Sequence, residues 1–348
     1  MGASLVISFA AMRFVIAGAG AIGTAMGGYL AQSGNPVILI SRPSHAAAIQ
    51  KHGLTLRTAK GTLHPAVEAF TSLRDVAWHD GDVIFLTCKS QDTRELLNEM
   101  AAAPRQTPIF CFQNGVRNEE WAAETFRRVY AGLVQISATF TEPGVVEHTR
   151  NDVLAIGKYP AGLDDITAQT GQALERAGFR VSYYESAMPR KWGKLLINLN
   201  NALFALIDTW LQLAYTDIEL RHFLAATMAE GLHVIRAAGV EIEMGPGEPP
   251  AEEFIRQMAN GAYAHPNPLD VPPERRTYPS TWQDVVLHRQ STEVEHFNGE
   301  IVRLGQQHRI ATPYNTALLE MMRELLRRQA MPGLFTLKEI QERVGDVK

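Results

Sequence analysis

The sequence predicts an α/β domain with a doubly wound, mostly parallel sheet at residues 12–186, followed by an all-α domain at residues 187–348. Three observations lead to this prediction. Short β-rich runs alternate with helical stretches in the first half, a glycine-rich loop follows the first run, and the strand pattern ends near residue 187. Strands that alternate with helices form parallel sheets covered on both faces. With 348 residues, of which 46% are hydrophobic, the chain is long enough for two cores.

Seven segments of the first domain have the β-rich composition of strands. They are RFVIAG (13–18), PVILI (36–40), DVIFLTCK (82–89), TPIFCFQ (107–113), VYAGLVQISATF (129–140), DVLAIG (152–157) and FRVSYY (179–184). Amphipathic helices are predicted between several of them, at 21–32, 91–102 and 165–177. The run from Val129 to Ile156 contains no helix, so its strands are predicted to pair antiparallel, with a turn at 141–144 (Thr-Glu-Pro-Gly).

After residue 187 the periodicity is helical. Helices are predicted at about 190–207, 217–238, 251–260, 281–308 and 313–329, with a short last helix from residue 337. Between Met244 and Pro279 the chain is rich in Pro and Gly, which predicts a loop-rich excursion. Disorder and a lid near a pocket are both compatible with that composition.

Composition excludes several classes of protein. A net charge of −4 gives no electrostatic case for nucleic acid, and no run approaches the ~20 apolar residues of a membrane span. Cys88 and Cys111 have neither metal-ligand nor CxxC spacing, so a reduced, cytoplasmic protein without a metal site is predicted. Residues 1–11 lack the basic start of a signal peptide. They are an ordinary extension, or Met12 is the native start.

A glycine-rich loop, Gly18-Ala-Gly20-Ala-Ile-Gly23, joins the first strand to the first helix. In this setting the first glycine permits a tight turn, the second lets a pyrophosphate approach the backbone, and the third allows close helix packing. The helix N-terminus adds free N–H groups and a positive dipole end for the phosphates. The loop therefore predicts a Rossmann-type, dinucleotide-binding domain, although a structural turn without nucleotide is the alternative. The predicted cofactor-binding residues are Gly18, Ala19, Gly20, Ala21, Ile22 and Gly23.

The residues after the next strands indicate which dinucleotide binds. The second strand ends in Ser41-Arg42, where an enzyme that uses NAD has an acid for the ribose 2′-hydroxyl. Arg42 instead offers a bidentate partner for a 2′-phosphate, which favours NADPH/NADP+. Lys89 lies on the same sheet edge and adds a second cation, and Asn114 lies there also, towards the nicotinamide end. The alternatives are surface positions for Arg42 and Lys89 and a simple Asn114-Gly115 turn.

The segment KWGKLLINLNNALFAL (191–206) predicts an apolar helix with a polar stripe. On a continuous helix Lys194, Asn198 and Asn201 fall within a wedge of roughly 60°. An unpaired ammonium in a core is costly, and desolvation lowers its pKa towards neutrality, which suits a proton donor to a ketone during hydride transfer. The two amides are placed to bind a substrate hydroxyl or carboxylate. The alternative is a structural lysine paired inside a domain interface.

A later block supplies two more candidates. Glu293 lies at the margin of the apolar stripe of the predicted 281–308 helix, and a solvated or salt-bridged glutamate is the alternative. Ser280-x-x-Gln283 has the pattern of a capping box, so the Ser280 side chain is predicted to cap this helix and still present its hydroxyl to a domain cleft.

Together these blocks resemble the ketopantoate reductase (2-dehydropantoate 2-reductase) family from Met12 to about Arg328. The matching pieces, in the family's order, are GAGAIG (18–23), CKS (88–90), QNG (113–115), KWGKLLIN (191–198), PSTWQD (279–284), TEVEHFNG (292–299) and RLGQQHRIATPYN (303–315). The resemblance implies a Rossmann domain, a helical substrate and dimerisation domain, and a site in the cleft between them. It also implies NADPH-dependent reduction of 2-dehydropantoate to (R)-pantoate, on the route to pantothenate and coenzyme A.

The resemblance implies a role for each candidate residue. Lys194 resembles the general acid, and Glu293 resembles the acidic residue that helps to hold the substrate. Asn114, Asn198 and Ser280 resemble substrate-contacting positions, and Arg42 and Lys89 resemble the 2′-phosphate site. Asn201 follows Lys194 by seven residues, where eight is usual in the family, and remains a predicted substrate-binding residue.

Other functions share parts of this pattern. A paralogue that reduces another 2-oxo acid, or a protein that senses NADPH without turnover, is the alternative, and a homodimer is a further expectation. Glycerol-3-phosphate and 6-phosphogluconate dehydrogenases share the architecture, but the predicted helical domain has no obvious cationic cluster for a substrate phosphate.

Overall fold

A computed structural model of the protein describes residues 12–287 and 291–346. The prediction about residues 1–11 lies outside this range. The chain divides between Ala187 and Met188 into two units, which are described separately.

The first unit is built on one sheet. Its strands are β1 (Arg13–Ala17), β2 (Val37–Ile40), β3 (Thr55–Thr58), β4 (Gly61–Leu63), β5 (Glu68–Phe70), β6 (Asp82–Leu86), β7 (Ile109–Cys111), β8 (Val129–Glu142), β9 (Val145–Lys158) and β10 (Arg180–Tyr183). Their order is β4-β3-β9-β8-β7-β6-β1-β2-β5, with β10 paired to β9. The path from β5 to β8 is parallel throughout. This confirms the mostly parallel, Rossmann-type sheet.

Helices cover the sheet because its central strands are apolar on both faces. Phe14 and Ile16 of β1 join one buried cluster, and Val15 and Ala17 join another. Alternate residues of a strand point to opposite faces, so β1 is buried from both sides. The helices of this unit are α1 (Ala21–Gln32), α2 (Pro43–His52), α3 (Thr93–Glu99), α4 (Asn118–Ala123) and α5 (Asp165–Arg176).

The β8–β9 hairpin confirms the predicted antiparallel pair. Its turn lies at the predicted 141–144 position, where Gly144 has a φ of +83°. Three short strands, β3, β4 and β5, were not predicted, because runs of three or four residues with few apolar side chains carry little periodicity.

The second unit contains no strand among its described residues, which confirms the all-α prediction. Its helices are α6 (Met188–Asn198), α7 (Asn201–Leu206), α8 (Leu211–Thr216), α9 (Ile218–Ala237), α10 (Ala251–Ala259), α11 (Ser280–Val286), α12 (Asn298–His308), α13 (Pro313–Arg327) and α14 (Leu337–Asp346). None of the helices in the described ranges is both long and apolar enough to cross a membrane.

Two predicted helices are interrupted. The helix predicted at about 190–207 breaks between α6 and α7, where the N–H of Leu203 donates to the carbonyl of Asn200. The helix predicted at 281–308 is α11, a 3-10 turn at Glu293–His296, and α12. Thr292 starts that turn by accepting a hydrogen bond from the N–H of Val294, so the chain begins a new element there.

The Pro-rich excursion from Met244 to Pro279 contains α10 and a 3-10 turn at Pro273–Arg275. Its later part is fixed to α8, because the Gln212 side chain donates to the carbonyl of Arg275 and exchanges hydrogen bonds with Thr277. The described residues of this segment therefore have defined contacts within the second unit.

Candidate active site

The glycine loop follows β1 and each glycine has a distinct environment. Gly18 has a φ of +90°, and a Cβ there would lie 2.5 Å from Cys88 Cβ. A Cβ on Gly23 would overlap the Thr87 hydroxyl. A Cβ on Gly20 would meet no protein atom within 4 Å, and this residue is exposed. Gly18 and Gly23 therefore serve the turn and the packing, while the space beside Gly20 is open to a ligand.

The loop also leaves hydrogen-bond donors at the start of α1. Gly20 is the N-cap residue and makes no side-chain cap. The N–H groups of a first helical turn, here beginning at Ala21 and Ile22, have no acceptor within the helix. Unsatisfied N–H groups and the positive end of a helix dipole bind phosphate. These residues fit the pyrophosphate of a dinucleotide.

Two cations lie at the same carboxyl edge of the sheet. Arg42 follows β2, is exposed, and is the N-cap residue of α2. Lys89 follows β6 and is partly buried. Since β2 and β6 flank β1 as parallel neighbours, both residues leave the sheet on the side of the glycine loop. No acidic residue stands between Ser41 and Ser44, where an acid would bind a ribose 2′-hydroxyl.

Asn114 lies in a loop that is held by a polar network. The hydroxyl of Ser90 and the amide of Asn118 both donate to the Asn114 carbonyl, at 2.9 and 2.8 Å. The Gln113 amide donates to Thr93 Oγ1 at 2.7 Å, which joins the loop after β7 to the first residue of α3. Sequence reasoning missed Ser90, Thr93 and Asn118. The contacts of Ser90 and Thr93 join distant segments, and no motif marks the short contact from Asn118 to Asn114.

Lys194 lies in α6, after the buried Gly193 and before the buried Leu195 and Leu196. Burial lowers the pKa of its amine from 10.5 to about 8, the carboxylate of Glu293 opposes that shift, and the ammonium of Lys191 adds to it. Glu293 is only 3% exposed and lies in the 3-10 turn before α12. The second unit thus brings together the two residues that were predicted to be catalytic, although 99 positions separate them.

The predicted amides are adjacent despite the break in their helix. Asn198 ends α6 and Asn201 begins α7, and Asn201 Nδ2 lies 3.4 Å from Asn198 Oδ1. Both side chains are partly buried. The stripe predicted from a continuous helix is therefore produced by two helices that meet at a turn.

The capping box predicted for Ser280 is wrong. Pro279 is the N-cap residue, Ser280 is already the first helical residue of α11, and no side chain caps this end. The Gln283 side chain instead donates to the carbonyl of Tyr278. Because α11 packs against α7, whose first residue is Asn201, Ser280 belongs to the same region as the two amides.

Lys194 and Glu293 of the second unit form an arrangement that can donate a proton. An amine with a pKa of about 8 is charged at neutral pH and still gives up its proton readily. The neighbouring carboxylate stabilises the charged form, and amides and a hydroxyl stand on the adjoining elements. Among the residues that the structure describes, no cluster of three His, Cys, Asp or Glu side chains is arranged to hold a metal ion.

Two family models match the chain. "Ketopantoate reductase PanE/ApbA" covers residues 14–161, and "Ketopantoate reductase PanE/ApbA C terminal" covers residues 186–326. A 2-dehydropantoate 2-reductase from Pyrococcus horikoshii is 28% identical over 313 residues, which is 90% of this chain and 97% of the relative.

Solved structures agree with the fold. A PanE/ApbA family ketopantoate reductase from Ralstonia eutropha JMP134 has a TM-score of 0.79 at 28% identity, over 91% of this chain and 99% of the other. A D-mandelate dehydrogenase with NADH and anilino(oxo)acetate has a TM-score of 0.78 at 23% identity, over 91% and 99% of the two chains. At that identity the second likeness concerns the fold alone.

Proposed function

The chain belongs to the ketopantoate reductase family, and we propose that it reduces 2-dehydropantoate to (R)-pantoate with NADPH. The observation that carries the proposal is the Lys194–Glu293 pair in the second unit. An amine whose pKa is lowered to about 8 by burial, with a carboxylate beside it, suits a general acid.

The proposed reaction adds a hydride to the C2 carbonyl carbon and a proton to its oxygen. NADPH supplies the hydride when bound. Lys194 donates the proton, which yields the C2 hydroxyl and leaves a neutral amine that solvent reprotonates. Glu293 keeps that amine charged before the transfer, and it helps to hold the substrate.

The remaining candidates bind and orient. We assign Asn114, Asn198, Asn201 and Ser280 to the substrate, and the glycine loop to the pyrophosphate. Arg42 and Lys89 are assigned to the 2′-phosphate, supported by the lack of an acid after β2. The absence of CxxC or metal-ligand spacing between Cys88 and Cys111 in the sequence supports a reducing, cytoplasmic setting. A homodimer also remains a proposal, which sedimentation would test.

The test is NADPH oxidation with a panel of 2-oxo acids, followed by absorbance. We expect 2-dehydropantoate to give the highest kcat/KM. A higher value for another 2-oxo acid would assign the chain to a paralogous reduction, and tight NADPH binding without turnover would support a sensor. The Lys194→Ala variant should bind NADPH as the wild type does and lose turnover.

A further inference from the structure

A chain of buried hydrogen bonds crosses the second unit and ends at the break between α6 and α7. The Asn315 amide donates to Glu230 Oε1 at 2.8 Å, and Asn315 Oδ1 accepts from Asn298 Nδ2 at 2.9 Å. Asn298 Nδ2 also donates to the carbonyl of Leu199 at 2.9 Å. Asn298 is 1% exposed and Asn315 is 0% exposed. Side chains from α9, α13 and α12 thus form a series of hydrogen bonds, and the last of them, Asn298, donates to the Leu199 carbonyl.

The direction of these hydrogen bonds is fixed by their ends. A carboxylate at Glu230 and a carbonyl at Leu199 can only accept hydrogen bonds. The Asn315 amide must therefore point an N–H group at Glu230, and the Asn298 amide must point one at the Leu199 carbonyl. Asn298 uses both of its N–H groups, one on Leu199 and one on Asn315. Neither a carboxylate nor an apolar side chain at position 298 replaces this pair of donors.

The carbonyl that Asn298 holds lies at a critical position. Leu199 separates Asn198, the last residue of α6, from the turn that begins α7 at Asn201. The Leu203 N–H donates to the Asn200 carbonyl three residues back, at 3.1 Å, instead of to the residue four back as in an α-helix, and this bond marks the change of helix. The Asn298 bond therefore fixes the backbone between the two proposed substrate amides.

Asn298 also fixes the other side of the site. It is the first residue of α12 and follows the 3-10 turn that carries Glu293 by two residues. One side chain thus links the segment bearing Lys194 and Asn198 to the segment bearing Glu293.

We propose that Asn298 is a positioning residue, which holds the α6–α7 break and the Glu293 turn in register for the reduction. The inference rests on the proposed function. Removing the amide leaves the Leu199 carbonyl and Asn315 Oδ1 buried without their donor, and the backbone shifts to find another. The substrate amides move with it.

The chain offers a matched control. Asn315 is the same residue type, similarly buried and in the same network, but its hydrogen bonds go to Asn298, Glu230 and the Thr227 carbonyl and not to the Leu199 carbonyl. In Asn315→Ala, Asn298 keeps its bond to the Leu199 carbonyl. Both variants remove one buried amide, so a general loss of packing affects them alike.

The experiment compares Asn298→Ala and Asn315→Ala by steady-state kinetics with 2-dehydropantoate at saturating NADPH, normalised to folded protein. Because a displacement of about 1 Å can cost about 100-fold, we expect Asn298→Ala to lower kcat/KM by roughly 10- to 100-fold, mostly through KM. Asn315→Ala should stay within about threefold of the wild type, and both variants should bind NADPH normally. In a double-mutant cycle, Asn298→Ala and Asn201→Ala should be less than additive, because the first already displaces the second residue's amide.

The outcomes are distinguishable. Equal losses in the two single variants, or strict additivity with Asn201→Ala, would overturn the positioning role while an active wild type upholds the proposed function. A wild-type protein that turns over no 2-oxo acid would overturn the proposed function and this inference with it.

Discussion

Replacing Lys194 with arginine keeps a positive charge at this position but removes its deprotonation at alkaline pH. The proposed general acid is active only when protonated, and burial lowers its pKa to about 8. Turnover in the reductive direction should therefore be retained below that pH and lost above it. Arginine stays charged at every accessible pH but is a far poorer proton donor than the lysine amine, so the turnover that is left in Lys194→Arg should be low and should show no alkaline loss.

The magnitude follows from the same pKa. With a pKa of about 8, about half of the amine is protonated at pH 8 and about one-tenth at pH 9, so kcat should fall roughly fivefold over that interval. Removing the acid in Lys194→Ala should cost about 10²- to 10⁴-fold in kcat, the usual contribution of general acid catalysis. That range corresponds to about 3 to 5 kcal/mol of activation free energy.

The assay is kcat for 2-dehydropantoate at saturating NADPH between about pH 6 and pH 10, with NADPH affinity measured in parallel. Lys191→Arg is a matched control, because it keeps a cation on the same buried helix and should keep the alkaline loss. An alkaline loss near pH 8 that persists in Lys194→Arg would refute the assignment. Turnover by Lys194→Ala within tenfold of the wild type would also refute it.

Three further predictions concern the first unit. Arg42→Ala should weaken NADPH by at least about tenfold and NADH little, because only NADPH carries the 2′-phosphate; fluorescence titration measures both. Gly20→Ala should weaken NADPH binding but keep the free energy of unfolding within about 1 kcal/mol of the wild type, because the new methyl group meets no protein atom. Gly23→Ala should lower the free energy of unfolding, because its methyl group would overlap Thr87. His45 accepts the Gly144 N–H through Nδ1, and burial lowers its pKa below 6.5. Its stabilisation should be full above pH 6.5 and be lost as the pH falls through the folded-state pKa, and urea unfolding of the wild type and His45→Gln would measure the difference.

Each of these has a contrary result. Equal losses of NADPH and NADH affinity would argue against a 2′-phosphate contact at Arg42. Unchanged NADPH binding in Gly20→Ala would place the pyrophosphate elsewhere. If His45→Gln loses stability with acid as steeply as the wild type, another group is responsible for the pH dependence.

Much of the fold could be predicted from local pattern. Buried parallel strands read as continuous apolar runs, as in β1, β2 and β6, and the glycine loop marks where the first strand meets its helix. The short strands at and next to the sheet edges could not be predicted, because their pairing partners decide their conformation. β3, for instance, pairs with β9, which lies about 90 residues further along the chain.

Candidate site residues could be named from the sequence, whereas their geometry could not. Residue type and resemblance point to Lys194 and Glu293, and burial gives the amine a pKa of about 8, which suits the proposed proton donor near neutral pH. The prediction of a cap at Ser280 was wrong because the sequence is compatible with a helix that begins after Ser280 or after Pro279. With Pro279 as the N-cap residue, the helix begins one residue earlier and the Gln283 side chain finds a backbone carbonyl instead.

The break between α6 and α7 shows why helical periodicity did not predict the positions of these side chains. On a continuous helix, the seven residues from Lys194 to Asn201 already return to nearly the same face, so the spacing gives no sign of an interruption. The partner of the carbonyl at the break is Asn298, which lies 99 residues away in sequence. A local sequence pattern shows which side chains share a helix face. It does not show which distant residue donates a hydrogen bond to a buried backbone carbonyl that has no partner within its own helix. The relative placement of Asn198 and Asn201 is therefore a property of the assembled helical unit, and substitutions at Asn298 test it more directly than substitutions within the helix itself.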